Sequence, residues 1–148
     1  MNEIFMREAI LLAQKARKKD EVPVGAVIVK DGKIISRAYN KREKSKDATS
    51  HAEILAIRKA CRKLKDFRLI DCDIYVTLEP CLMCLGAIEN ARLNNLYFGA
   101  YNNKNDAIKT EELVKVAGLN HNLKVQGGIL QEECSNLVSS YFKEKRNK

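Results

Sequence analysis

The sequence predicts an α/β fold in which a mixed five-stranded sheet carries helices on both faces. Several segments repeat apolar residues at helical spacing, and short β-branched or continuously apolar runs lie between them. The two kinds of segment alternate along the chain, which is typical of a sheet covered by helices. Because 148 residues suffice for one hydrophobic core, we expect residues 1–148 to form a single domain.

The first third of the chain is predicted to form a helix and a β-hairpin. Apolar side chains return at helical spacing over residues 2–19, with Arg and Lys between them. Residues 24–29 form a continuous apolar run, typical of a buried strand. An Asp-Gly pair then turns the chain into a second strand over 33–39. The polar, turn-forming residues 40–50 predict a loop.

The rest of the chain is predicted to alternate between helix and strand. Helices are expected from about His51 and over 81–91, 111–117 and 130–146, and strands over 73–78, 96–100 and 123–125. Pro80 precedes the second of these helices, at a position that tolerates its missing N–H group. Residues 101–107 are polar and predict a further loop.

Two short motifs at predicted helix starts carry the residue types of a metal site. His51 opens one helix, while Cys81 and Cys84 lie three residues apart at the start of another. Side chains at i and i+3 share a helix face, so the two thiolates can bind one ion. Three protein ligands leave one position of a tetrahedral zinc site for water, as in catalytic zinc sites. We therefore predict that His51, Cys81 and Cys84 bind one zinc ion.

Glu53 supplies the group that such a site needs for moving protons. It follows His51 by two residues and can reach the same pocket without binding the metal. Zinc lowers the pKa of a bound water to about 7, which suits attack on an electron-poor ring carbon that bears an amino group. We predict that Glu53 is the general acid and base of this reaction.

The remaining cysteines and the second histidine favour structural roles. Cys61, Cys72 and Cys134 are scattered among apolar or mixed neighbours, where cysteine usually behaves as a small buried hydrophobe. His121 lacks a metal-binding partner motif. The odd number of cysteines argues against a disulfide framework.

Charge and hydropathy limit the partners and the compartment. The chain has 27 basic and 19 acidic residues and a net charge of +8. This charge suits a polyanionic partner, but charge that serves only solubility would look the same, so other features of the sequence must decide. It contains no apolar run long enough for a membrane span and no basic, apolar leader. We expect a cytoplasmic protein with no membrane partner.

The motifs resemble those of the bacterial tRNA adenosine deaminases, members of the cytidine-deaminase-like superfamily. The matching stretches are EVPVGAV at 21–27, DATSHAE at 47–53, YVTLEPCLMCLGAI at 75–88, LYFGA at 96–100 and GIL at 128–130. The His-Ala-Glu and Pro-Cys-x-x-Cys parts are shared across the superfamily, whereas the flanking parts are narrower. The resemblance implies conversion of the wobble adenosine of an arginine tRNA to inosine.

The resemblance also implies a three-layer α/β/α fold and a homodimer with active sites near the subunit interface. It implies that Asn40 lines the base pocket and hydrogen-bonds the substrate, although Asn at this point also suits a simple turn. Val22 and the backbone around Ala52 are expected to form pocket walls. The chain departs from the family in residues 101–106, where Asn102 replaces a usual aspartate in a segment that grips RNA.

Three other functions are compatible with parts of the sequence. A deaminase of a free base or nucleoside, such as guanine or cytosine, would share the metal motif, but it has no need of a strongly basic chain. A zinc-stabilised RNA-binding module would have no use for Glu53. A redox protein would explain only the Cys-x-x-Cys pair. Hydrolytic deamination of adenosine in tRNA accounts for the most features together.

Overall fold

The computed structural model describes residues 3–102, 110–116 and 122–147. The helices and strands in these residues are α1 (Glu3–Lys18), β1 (Gly25–Lys30), β2 (Lys33–Tyr39), α2 (Arg42–Ser45), α3 (Ala52–Leu64), β3 (Cys72–Leu78), α4 (Leu82–Asn90), β4 (Asn95–Ala100), α5 (Thr110–Val116), β5 (Lys124–Gln126) and α6 (Gln131–Arg146). Gly118 and His121 lie outside the described residues.

The strands form one mixed five-stranded sheet in the order β2-β1-β3-β4-β5. Strand β1 pairs antiparallel with both β2 and β3, while β3, β4 and β5 run parallel to one another. The parallel pairs follow from the helices that return the chain across the sheet. The predicted mixed sheet is confirmed.

Helices cover both faces of this sheet, as the alternation of helix and strand predicted. Successive side chains of a strand point to opposite faces, so Ala26 and Ile28 pack toward α3 and α4 while Val27 and Val29 pack toward α1 and α6. Both faces are dry. The predicted three layers, helix on sheet on helix, are therefore present.

Helix α1 approaches β1 closely because small residues meet at their contact. Ala9 and Ala13 are fully buried. A Cβ atom on Gly25 would lie 2.1 Å from the carbonyl oxygen of Ala9 and 2.7 Å from the amide nitrogen of Ala13. The glycine of the Val-Pro-Val-Gly motif is therefore required by helix packing.

Two expectations for local structure need correction. The segment 40–50, predicted as a loop, contains the short helix α2. The buried carboxylate of Glu21 accepts hydrogen bonds from the backbone N–H groups of Glu43 and Lys44, so a distant side chain caps this helix. Helix α4 begins at Leu82, one residue later than predicted, because Cys81 has extended backbone angles and occupies the N-cap position.

Hydropathy along the described helices agrees with the sequence. Among the residues that the structure describes, no helix combines the length and the apolar character needed to cross a bilayer.

Candidate active site

Two helix starts converge at one end of the sheet. His51 is the N-cap residue of α3 and Cys81 is the N-cap residue of α4, and neither side chain makes a capping hydrogen bond. Both helices pack on the same face of the sheet, through Ala52 and Ala56 of α3 and Leu85 of α4. Their first residues therefore point toward a common space.

The three predicted metal ligands lie together at this place. The Nδ1 atom of His51 is 3.5 Å from the Sγ atom of Cys84 and 3.8 Å from that of Cys81. These three atoms all lie within 4.8 Å of one another, so they could hold a metal ion. Cys84 is fully buried, while His51 and Cys81 are half-buried at the pocket.

This donor set fits zinc. Zinc binds thiolate sulfur at about 2.3 Å and imidazole nitrogen at about 2.0–2.1 Å, which puts the sulfur and nitrogen of a tetrahedral site roughly 3.6 Å apart. The two observed sulfur–nitrogen distances, 3.5 and 3.8 Å, lie on either side of that value. Nδ1 would be the ligand atom of His51, since both thiols face it.

The electrostatic surroundings of the two thiols favour metal binding. A hydrogen bond from Cys84, and a second from His51, lower the pKa of Cys81 to about 3. The pKa of Cys84 is raised, first by the hydrogen bond to Cys81 and then by burial, since the two sulfurs share one proton. A cation bound between them would favour thiolate at both positions.

Glu53 is buried beside this group. Only 4% of the residue is exposed, and it contributes to the wall of the same cavity. Burial raises the pKa of its carboxyl to about 7. A carboxyl group with a pKa in this range can both take and give a proton near neutral pH. The hydrogen bond that His51 donates to the sulfur of Cys81 raises the pKa of His51.

Asn40 connects the end of β2 to the start of α3. Its Oδ1 atom accepts a hydrogen bond of 2.8 Å from the backbone N–H group of Ala52. This contact fixes the amide plane with the oxygen toward α3, which leaves the NH2 group as the donor for a ligand. Asn40 is 5% exposed and lines the cavity, whereas Ala52 is fully buried behind it.

These residues open onto a cavity of about 490 Å³ at the carboxyl ends of the parallel strands β3 and β4. Its volume suits a small-molecule or nucleobase ligand. Its wall contains Val22, Asn40, His51, Glu53, Cys81 and Asn102 from the sequence prediction, together with Val24, Arg42, Leu78, Glu79, Tyr101, Ser135, Val138, Ser139 and Phe142.

Helix α6 supplies one wall of the cavity, which no feature of the sequence predicted. Ser135, Val138, Ser139 and Phe142 come from the last turns of the chain, far from the metal motifs. Their spacing along the helix looks like that of an ordinary amphipathic face, so no local signal distinguishes them.

A wider groove of about 880 Å³ adjoins the cavity and shares Val22, Asn40 and Arg42 with it. Its basic residues are Lys19, Arg42, Lys44 and Lys145. The groove also contains three acidic residues, Asp20, Glu21 and Glu43. Asp20 pairs with Lys145, and the carboxylate of Glu21 accepts backbone hydrogen bonds. A charged surface with a small basic excess, which includes Arg42, thus leads to the mouth of the cavity.

Comparison with known proteins agrees with this geometry. Residues 1–146 match the MafB19-like deaminase family. The tRNA-specific adenosine deaminase of Bacillus subtilis is 44% identical over 148 residues, which cover 99% of this chain and 92% of that protein.

Solved structures share the same fold. One, from a study of A-to-I editing by tRNA:A34 deaminases at the wobble position of transfer RNA, superposes with a TM-score of 0.86 at 40% identity over 92% of this chain and 99% of that one. A guanine deaminase from Bacillus subtilis superposes with a TM-score of 0.67 at 35% identity, covering 100% of this chain and 96% of that one. The chain therefore belongs to the MafB19-like deaminases and, among them, to the family of bacterial tRNA-specific adenosine deaminases.

Proposed function

We propose that this protein hydrolyses adenosine to inosine and ammonia at the wobble position of a tRNA anticodon, with an arginine tRNA as the expected substrate. The observation that carries the proposal is the grouping of His51, Cys81 and Cys84 around one point beside the buried carboxyl of Glu53. The relatives named tRNA-specific adenosine deaminases, among them that of Bacillus subtilis, support the same substrate.

The residues of the site have two roles in this proposal, metal binding and proton transfer. His51, Cys81 and Cys84 would hold one zinc ion per chain, which supplies a water of lowered pKa when bound. The Glu53 carboxylate takes a proton from the water that attacks C6 of adenine and gives it to the ring nitrogen N1. It then takes a second proton from the hydroxyl group added at C6 and gives it to the amine, so that the C6–N bond breaks, ammonia leaves and the C6 carbonyl of inosine forms. Its raised pKa, about 7, suits both directions of transfer.

The cavity and its surroundings support a base presented by an RNA loop. The NH2 group of Asn40 can donate to the purine, and Val22 forms part of the wall. Ala52, expected from the sequence as a wall residue, is fully buried and holds Asn40 through its backbone N–H group. A base in an anticodon loop can be splayed out into such a cavity. The basic groove beside the cavity suits the phosphates that flank this base.

We further propose that the protein works as a homodimer in the cytoplasm. Leu82 and Met83, at the start of α4 next to the metal ligands, are 68% and 39% exposed. Exposed apolar side chains at this place suit a subunit interface near the active site. Sedimentation equilibrium tests the association, and a monomer at micromolar concentration would contradict it.

Deamination of a free base is the second candidate. The specific observation in its favour is the likeness to the guanine deaminase of Bacillus subtilis, which spans the whole of this chain. A free base, however, gives no reason for the four basic residues of the groove beside the cavity.

Inosine formation tests the proposed function. Purified protein is incubated with an arginine-tRNA anticodon stem-loop that carries a wobble adenosine, and inosine is detected by nuclease digestion and chromatography. We expect inosine with the wild type and none with Glu53→Ala, while the variant keeps zinc and still binds the RNA. Normal turnover by Glu53→Ala would refute the role of that carboxyl. Absence of inosine with folded, zinc-loaded wild type would refute the substrate.

A further inference from the structure

Two acidic residues near the cavity are buried without belonging to the metal group. Glu21 and Glu79 are 2% and 8% exposed. Burial of a carboxylate is costly unless hydrogen bonds replace its water. In both residues the replacement comes from the backbone of a segment more than twenty residues away, as the sequence separations of 22, 23 and 31 show.

Glu79 joins the two ends of the segment between β4 and α5. Its Oε1 atom accepts a 2.9 Å hydrogen bond from the backbone N–H group of Asn102. Its Oε2 atom accepts hydrogen bonds of 3.1 Å from the backbone N–H group and 2.6 Å from the hydroxyl of Thr110. Because Glu79 directly precedes Pro80 and the metal ligand Cys81, these bonds fix Asn102 relative to the metal group.

Glu21 fixes a second part of the cavity wall, that of Arg42, in the same way. Its carboxylate oxygens accept hydrogen bonds of 3.0 Å from the backbone N–H group of Glu43 and 2.8 Å from that of Lys44. These bonds cap α2, a helix of four residues that is too short to persist without outside support. Helix α2 carries Arg42, which lines both the cavity and the basic groove.

The two carboxylates therefore have equivalent places in the site. Each is close in sequence to a residue of the cavity wall, since Val22 comes directly after Glu21 and Cys81 comes two residues after Glu79. Each accepts hydrogen bonds from a distant part of the backbone that supplies another wall residue, Arg42 or Asn102. These bonds fix the backbone of α2 at one place and that of Asn102 and Thr110 at the other.

We propose that Glu21 and Glu79 are positioning residues that hold the two rims of the cavity in the arrangement that binds the RNA around the target base. The inference rests on the proposed function, because RNA is the ligand that would contact both rims. None of the hydrogen bonds of Glu21 and Glu79 described above involves His51, Cys81, Cys84 or Glu53. Loss of the hydrogen bonds therefore weakens substrate binding more than it slows the chemical step.

Steady-state kinetics on the wobble-adenosine stem-loop test this role with Glu21→Gln and Glu79→Gln. The amide keeps the size of the side chain, but an NH2 group replaces one of the two acceptor oxygens. Because this NH2 group cannot accept a hydrogen bond, one backbone N–H group loses its acceptor. We expect KM to rise about tenfold in each variant, with kcat within about threefold of wild type and zinc content unchanged. The double variant is expected to show the product of the two effects, because the two carboxylates bind different backbone groups.

A matched pair at Thr110 keeps the test decisive if a glutamine variant does not fold. Thr110→Val removes only the hydroxyl that donates to Glu79, whereas Thr110→Ser keeps it. We expect KM to rise about fivefold with valine and to stay within about twofold with serine.

The outcomes separate this inference from the proposed function. Inosine from the wild type together with wild-type KM values in the folded variants refutes the positioning role alone. A lowered kcat at unchanged KM also refutes it, because the rims would then act on the chemical step. Absence of inosine from the wild type refutes the proposed function, and the inference with it.

Discussion

Cysteine side chains occur in two different electrostatic settings in this chain. Cys72 and Cys134 are buried in the core, and burial raises the pKa of both thiols, that of Cys134 to about 12. Cys81 is paired with His51 and Cys84, and its pKa is lowered to about 3. The pKa of Cys84 is raised, because its thiol donates to Cys81 and is buried. Since the thiolate is the form that binds a metal, the core thiols stay inert, whereas Cys81 of the pair at the start of α4 is a thiolate.

Metal content distinguishes these two kinds of cysteine. We expect about one zinc per chain in the wild type and less than about a tenth of that in Cys84→Ala and His51→Ala, because two remaining ligands bind zinc weakly. Elemental analysis of protein after brief dialysis against a mild chelator measures the change. Cys72→Ala is the control and should keep its zinc; full occupancy in Cys84→Ala would place the metal elsewhere.

Asn102 lies at the cavity with its backbone N–H group bound to the Glu79 carboxylate. An aspartate there would add a second negative charge at the place where we expect RNA phosphates. We predict that Asn102→Asp weakens stem-loop binding about threefold to tenfold at low salt, and that the difference shrinks as salt screens the charge. Fluorescence anisotropy at several salt concentrations measures it.

Asn136→Asp provides the matched control for this charge. Asn136 is exposed on α6, and its replacement changes the net charge of the protein by the same amount. Equal binding by wild type and Asn102→Asp at every salt concentration would show that the position is remote from the bound phosphates.

Helix α1 and strand β1 lie so close together that residue 25 has no room for a side chain. The Cβ atom of an alanine at position 25 would overlap the backbone of α1 at Ala9, so the helix would have to move away from the sheet. We predict that Gly25→Ala lowers the free energy of unfolding by about 3 kcal/mol. Urea denaturation followed by circular dichroism measures the loss.

Gly86→Ala is the matched control. An added Cβ atom at this position in α4 meets nothing within 4 Å, and alanine favours a helix over glycine by about 1 kcal/mol. We expect its stability to equal or slightly exceed that of the wild type. A stable Gly25→Ala protein with the same denaturation midpoint as wild type would contradict the described packing of α1.

The order of helices and strands could be predicted because the signals are local. Periodicity within each segment reveals α1, β1, β2 and most later elements to within one or two residues. Helix α2 could not be found this way, because its first N–H groups are satisfied by Glu21, more than twenty residues earlier. Its own four residues carry no amphipathic pattern.

The same distinction applies to the candidate site. The grouping of His51, Cys81 and Cys84 could be predicted because each motif is short and stands at a helix start. The wall from α6 could not, since Phe142 and its neighbours reach the cavity only through the packing of the last helix across the sheet. The roles of Glu21 and Glu79 likewise depend on contacts between distant segments.

Several charged residues of the protein border the groove beside the cavity. The net charge is +8, while the groove that opens beside the cavity is bordered by Lys19, Arg42, Lys44 and Lys145 and by Asp20, Glu21 and Glu43. A basic protein attracts a polyanion and raises its local concentration at the surface. The overall positive charge, together with Arg42 at the cavity, favours RNA over a free base.

We propose that this candidate metal site acts on adenosine held in RNA. Ammonia release by the zinc-loaded wild type is measured on equal concentrations of the wobble-adenosine stem-loop, guanine, cytosine and free adenosine. We predict release from the stem-loop, with kcat/KM for each small substrate at least about a hundredfold lower, since these lack the phosphates that bind the basic groove. Faster release from guanine or cytosine than from the stem-loop would contradict the claim and assign the protein to free-base deamination.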